Sequence, residues 1–130
     1  MQRVITAGGT IAHNGEILLI RHKGGGLAFA KGHLDEAETP EMAAIREMKE
    51  ETGYDTAIIK RLGELERVTT EITGERVNKI IVLYLMRATK QAGIAVDELP
   101  VWIAPNKALG DMQFPEEAAF LRDHLNDLRS

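Results

Sequence analysis

The chain has 130 residues, 44% of them hydrophobic and 28% charged, the size and composition of one globular domain and not of a disordered or fibrous polypeptide. Its net charge of −4 argues against a general binder of nucleic-acid duplexes, which needs excess lysine and arginine, and the absence of cysteine excludes disulfides and thiolate metal sites. The longest apolar run, Ile80 to Met86, is far short of the ~20 residues that span a membrane, and no secretory signal is visible at the amino terminus, so a single domain over residues 1–130 in the cytoplasm is expected.

In chain order, Val4 to Ile11 reads as a strand, His13-Asn14-Gly15 as a tight turn and Glu16 to Arg21 as the returning strand, because Asn-Gly accepts the positive φ angles of a hairpin turn. His22 to Gly26 is a glycine-rich loop leading into Leu27 to Ala30. Thr39-Pro40 supplies an N-cap and a first helical residue, and Gly53 a stop, which predicts a helix of about 13 residues. Ala57 to Val68 and Val77 to Ala88 are strand-rich around a turn at Thr73-Gly74-Glu75, and Val101 to Ile103 is a further short strand. A short helix is expected near Asn106 to Leu109. A longer one runs from Pro115 to Leu128, where Phe120, Leu121, His124, Leu125 and Leu128 recur at helical spacing. Mixed strands with two main helices predict an α/β fold, a mixed sheet covered by helices.

Several chemistries are removed by inventory. The only serine is the terminal Ser130 and cysteine is absent, which leaves no plausible nucleophile of either kind. The glycines of Lys23 to Gly32 fit neither a Walker loop nor G-x-G-x-x-G, and His13, His22, His33 and His124 form no HExxH pattern. Oxygen-ligand metal chemistry remains.

From Asp35 to Glu51 there are seven acidic residues against two basic ones, a local charge of −5 that leaves the rest of the chain at +1. On the predicted helix Glu47, Glu50 and Glu51 share one arc, beside an apolar arc of Ala44, Ile45, Met48 and Thr52. Like charges at that spacing repel by about 0.2–0.5 kcal/mol a pair. A solvated acidic face is the ordinary reading of such a helix. The chemical reading is a site for Mg²⁺, which prefers carboxylate, water and phosphate oxygens.

The spacing around the helix decides between them. From Gly32 the chain reads GHLDEAETPEMAAIREMKEETGY, which resembles the Nudix box, G-x5-E-x7-R-E-U-x-E-E-x-G-U, with U a bulky aliphatic residue. Gly32, Glu38, Arg46, Glu47, Glu50, Glu51 and Gly53 fill the fixed positions and Met48 the first U; Tyr54 stands at the last U. Seven such matches arise by chance about once in 10⁸ starts. The flanks VITAGGTIAHNGEILLIRHK and VWIAPNKALGDMQFPEEAAFLRDHL are similar to the opening hairpin and closing elements of the same family.

The resemblance implies a Nudix-like α/β/α sandwich with a central mixed sheet. It also implies metal-dependent cleavage of a nucleoside diphosphate linked to a group X, by attack of water on phosphorus. Carried over, Glu47, Glu50 and Glu51 are metal ligands, with the Lys31 carbonyl as a further one; Gly32 permits close backbone approach; Glu38 and Arg46 orient the ligands; and Gly53 ends the helix. Mg²⁺ is the implied cofactor, with Mn²⁺ as the alternative. Glu47 and Glu98 are both candidates for the general base, a box glutamate being preferred. FAKGHLDEAET resembles F-P-K-G-H-x-E-x-x-E-T of diadenosine tetraphosphate hydrolases, with Ala30 in place of the proline and Leu27 in place of a tryptophan. This points to a dinucleoside polyphosphate. The alternatives are an oxidised or noncanonical nucleoside triphosphate, ADP-ribose, or a nucleotide sensor without activity. Lys31, Arg21, Arg67 and Lys79 are candidates to reach a polyphosphate, His33 to contact phosphate and Tyr84 to stack on a base, while Trp102 is expected to pack. The implied partner is a small nucleotide, with neither a duplex nor a membrane, and the chain is expected to be a monomer or homodimer.

Overall fold

The structure is a computed structural model that describes residues 1–23, 25–91 and 99–129. Strand β1 (Gln2–His13) turns through Asn14 and Gly15, both at positive φ, into β2 (Glu16–Arg21). Then come β3 (Leu27–Ala28), β4 (Ala30–His33), helix α1 (Pro40–Thr52), β5 (Tyr54–Thr70), β6 (Arg76–Gln91), β7 (Leu99–Ile103), the short α2 (Pro105–Ala108) with a 3-10 turn at Leu109–Asp111, and α3 (Pro115–Asp123). The seven strands form one mixed sheet in the order β3-β2-β1-β6-β5, with β4 added beside β1 and β7 beside β2. β1 runs parallel to β6 from Gln2 opposite Val77 to Ile11 opposite Met86, and every other pairing is antiparallel.

Alternation along the central strands divides the apolar side chains between two layers, as period-2 geometry requires. Leu18, Ile20, Val82, Tyr84 and Met86 face α1, where Ala43, Ala44 and Met48 complete one core. Ile17, Leu19, Ile81, Leu83 and Leu85 face the opposite way and pack with Phe120 and Leu121 of α3. The two layers give the α/β/α sandwich. Helix α1 starts and stops where its caps dictate: Thr39 Oγ1 accepts the Met42 N–H at 3.2 Å, and Gly53 adopts φ 82° while its N–H donates to the Lys49 carbonyl. Among the described residues no helix is long and apolar enough to cross a membrane.

Two expectations from sequence need correction. The strands around the turn at 73–75 extend beyond Ala57–Val68 and Val77–Ala88, because the β5–β6 ladder continues from Tyr54 opposite Gln91 to Thr70 opposite Arg76. Helix α3 ends at Asp123, five residues before Leu128. His124 ends it: its N–H closes a tight turn on the Leu121 carbonyl, while its ring stacks on Phe120 and places its two nitrogens 2.8 Å from the Phe120 carbonyl and 3.1 Å from the Leu62 carbonyl. Leu128 is still fully buried, delivered by two successive turns and not by helical periodicity.

Candidate active site

The edge strand β4 and helix α1 meet at the acidic segment. Glu51 Oε2 accepts the Lys31 N–H at 2.9 Å. The Glu47 carboxylate lies directly over Gly32, where a built Cβ would overlap it. Arg46 is the hub of the segment. Its Nε and Nη2 form a fork on Glu38 at 2.8 and 3.0 Å, Nη1 reaches Glu47 at 2.7 Å and Glu50 at 3.2 Å, Nη2 donates to the His33 carbonyl at 2.9 Å, and Asp35 lies 3.3 Å from Nε. Such bidentate, charge-assisted contacts are the strong and directional kind.

These contacts shift the charges in opposite directions. The hydrogen bond from Arg46 holds the Glu38 carboxyl below its usual 4.5, and the same bond holds Arg46 above its ordinary value. A carboxylate depressed on folding contributes stability above its unfolded value and loses it as pH falls through the folded one. The gap in thermal midpoint between the natural protein and Glu38→Gln is therefore expected to shrink as pH falls below 4.5. Thermal denaturation across that range is the check.

Arg46 offsets part of the repulsion among the glutamates, but five carboxylates (Asp35, Glu38, Glu47, Glu50 and Glu51) gather around one guanidinium and one backbone N–H. Among the described residues no three acidic or histidine groups already converge as a cation cage, because Arg46 draws Glu47 and Glu50 to itself and Glu51 turns to β4. The donor set is nevertheless all hard oxygen with surplus negative charge, and Gly32 leaves room for Glu47 against the backbone. That chemistry fits a divalent cation of the Mg²⁺ type. Gly32→Ala is expected to displace the Glu47 carboxylate and to weaken binding of a divalent cation by about 10–100-fold with little change in melting, as a calorimetric Mg²⁺ or Mn²⁺ titration paired with thermal denaturation would register.

A cleft of ≈ 220 Å³ opens beside this edge, and Lys31, Gly32, His33, Glu51, Thr6, Arg67, Lys79 and Phe114 are among the residues that line it. Of the cations expected from sequence, Lys79 and Arg67 line it. Lys31 lines it too, but its Nζ is held 2.9 Å from Glu117 Oε2, a carboxylate buried at the start of α3 whose other oxygen accepts the Phe29 N–H at 3.0 Å. His33 contributes to the lining as well as its carbonyl.

Arg21 does not line the cleft: its guanidinium is engaged with Asp111 at 2.9 Å. Tyr84 is not placed to stack on a base. It is buried in the layer under α1 and its hydroxyl donates to Glu41; burial first, and then that bond, push its pKa up to about 12. Trp102 packs edge-on against Tyr54 and His13. Glu98 lies outside the described residues. Glu117, Phe114 and Thr6 escaped the sequence reading. The one signal for Glu117 and Phe114 is Phe-Pro-Glu-Glu at a helix start, which by itself reads as a solvated first turn.

Over 120 residues, 88% of this chain and 36% of the other, the chain is 31% identical to a protein of Mycolicibacterium smegmatis named 8-oxo-(d)GTP phosphatase. It thus spans 36% of the length of that relative, and 24% of the length of a protein of Mycobacterium tuberculosis named Putative mutator protein MutT4, to which it is 43% identical over 61 residues, 46% of this chain. Among solved structures, the E. coli ORF135 protein superposes with a TM-score of 0.71 at 25% identity, covering 97% of this chain and 91% of that one. An ADP-ribose pyrophosphatase from Streptococcus suis gives 0.71 at 18% identity, covering 98% and 92%. The NUDIX domain family matches residues 3–124, and the chain belongs to that family.

Proposed function

We propose that the chain hydrolyses a pyrophosphate linkage in a nucleoside diphosphate joined to a group X, with divalent metal, the cofactor that Nudix hydrolases generally use. One observation carries this reading: Glu47 and Glu51 meet the Lys31–Gly32 edge, and Glu51 with that edge lines a cleft that Arg67 and Lys79 also line. A carboxylate of the proposed metal set and cations for phosphate thus line one opening. Glu47, Glu50, Glu51 and the Lys31 carbonyl would hold the ion, Mg²⁺ or in its place Mn²⁺. When bound, such an ion supplies polarisation of a phosphate oxygen and a more acidic water. Arg46, fixed by Glu38, aims Glu47 and Glu50. Gly32 gives Glu47 its position, and Glu47 takes the proton of the attacking water. Phosphoryl transfer of this kind rests on positioning and charge, and the segment supplies both.

For X, the name of the M. smegmatis relative favours an oxidised or noncanonical nucleoside triphosphate. A dinucleoside polyphosphate, suggested by FAKGHLDEAET, is the second reading, and Arg67 with Lys79 in the cleft favours it equally. Product analysis separates the two. Nucleoside monophosphate plus pyrophosphate from an oxidised triphosphate supports the first, and ATP plus AMP from diadenosine tetraphosphate supports the second. Undiminished hydrolysis in excess chelator would remove the metal-dependent reading altogether.

A further inference from the structure

We propose that the Arg67–Lys79 part of the cleft is an anion subsite that receives the phosphate of X, so that X is a phosphate or a longer phosphate chain and is not an uncharged sugar. This rests on the reading above for where the scissile linkage lies.

Arg67 of β5 and Lys79 of β6 are direct partners across the antiparallel ladder, and both line the cleft. Like charges placed directly opposite destabilise a sheet. Neither residue makes an ion pair among the described residues. Burial first, and then Arg67, lower the pKa of Lys79, and Glu71 opposes them only in part, as expected of a partly buried cation beside a like charge. Two further donors are left open at the same place. Among the described residues Arg67 Nε is buried without a hydrogen-bond partner, and so is the Oγ1 of Thr6, a residue only 3% exposed on β1. Orphaned buried polar atoms are rare and costly. The Arg67 guanidinium is not loose: it lies over the Phe114 ring at 3.7 Å, a cation–π contact that holds it in position.

Lys31 does not share this duty, because Glu117 already neutralises its ammonium. The subsite therefore presents two positive charges and a hydroxyl, offset only in part by Glu71 near Lys79 and by Glu51 elsewhere on the lining. A nucleobase carbonyl offers only a dipole to such a set. A phosphate group offers formal charge and several acceptor oxygens, which a guanidinium and a hydroxyl can bind together.

The test uses inorganic pyrophosphate in excess chelator, so that no cation bridges it to the glutamates, with binding followed by calorimetry. The natural protein is expected to bind it. Arg67→Met and Lys79→Met should each weaken binding at least tenfold, and Lys79→Arg should restore it. Lys79→Met should also melt no lower than the natural protein, since it removes a like-charge pair, which separates lost binding from lost folding. In turnover, the ratio of kcat/KM for a nucleoside triphosphate over that for ADP-ribose should fall at least tenfold in Lys79→Met. Equal pyrophosphate binding in the natural protein and both Met variants, no binding in the natural protein, or an unchanged ratio would each overturn the subsite. Should the natural protein bind pyrophosphate through these residues yet hydrolyse no nucleotide, the hydrolase reading alone fails.

Discussion

Glu50→Gln and Glu51→Gln are each expected to reduce hydrolysis by at least ~100-fold while leaving the fold intact. The two positions carry different structural loads, and that makes the pair informative. Glu50 has a side chain 56% exposed whose contacts are to Arg46, so its replacement leaves packing untouched. Glu51 accepts the Lys31 N–H, and glutamine keeps an acceptor oxygen for that bond. What both variants lose is formal charge at a point where phosphate and a divalent ion are proposed to meet. Turnover at saturating Mg²⁺, circular dichroism and a calorimetric metal titration measure the three consequences. Normal turnover in both variants would return the acidic helix to the status of a solvated face.

Lys31→Met is expected to be the most destabilising single change near the site, by about 3–5 kcal/mol, because it strands the fully buried Glu117 carboxylate without its partner. Pairing it with Glu117→Gln should recover much of that loss, since the amide oxygen still accepts the Phe29 N–H and no buried charge remains. Urea denaturation of the two single variants and the double variant closes the cycle. A loss under about 1 kcal/mol for Lys31→Met, the size of an exposed pair, would mean that Glu117 is not held as a buried charge. The pair also connects layers. Glu117 on α3 grips both Phe29 and Lys31, and the backbone of Lys31 in turn holds Glu51 on α1. A disturbance at the start of α3 should therefore reach Glu51 through Lys31 of β4.

What the sequence alone determined is what depends on near neighbours. The cap at Thr39, the stop at Gly53 and the arc of three glutamates follow from intervals of three and four residues on a helix, and the hairpin at Asn14-Gly15 from the φ angles those two residues accept. The seven matched positions of the box span only Gly32 to Gly53, so they too were visible before any fold was known. The tertiary structure decided which charges meet across the chain. Lys31 and Glu117, Arg21 and Asp111, Tyr84 and Glu41 are separated by 86, 90 and 43 residues. Arg67 came to face Lys79, with Thr6 and Phe114 in the same cleft, through strand register and the docking of α3. A lysine or glutamate looks the same in sequence whether water, a buried partner or a ligand satisfies it; only the packing of distant elements removes the water and leaves a choice of partner.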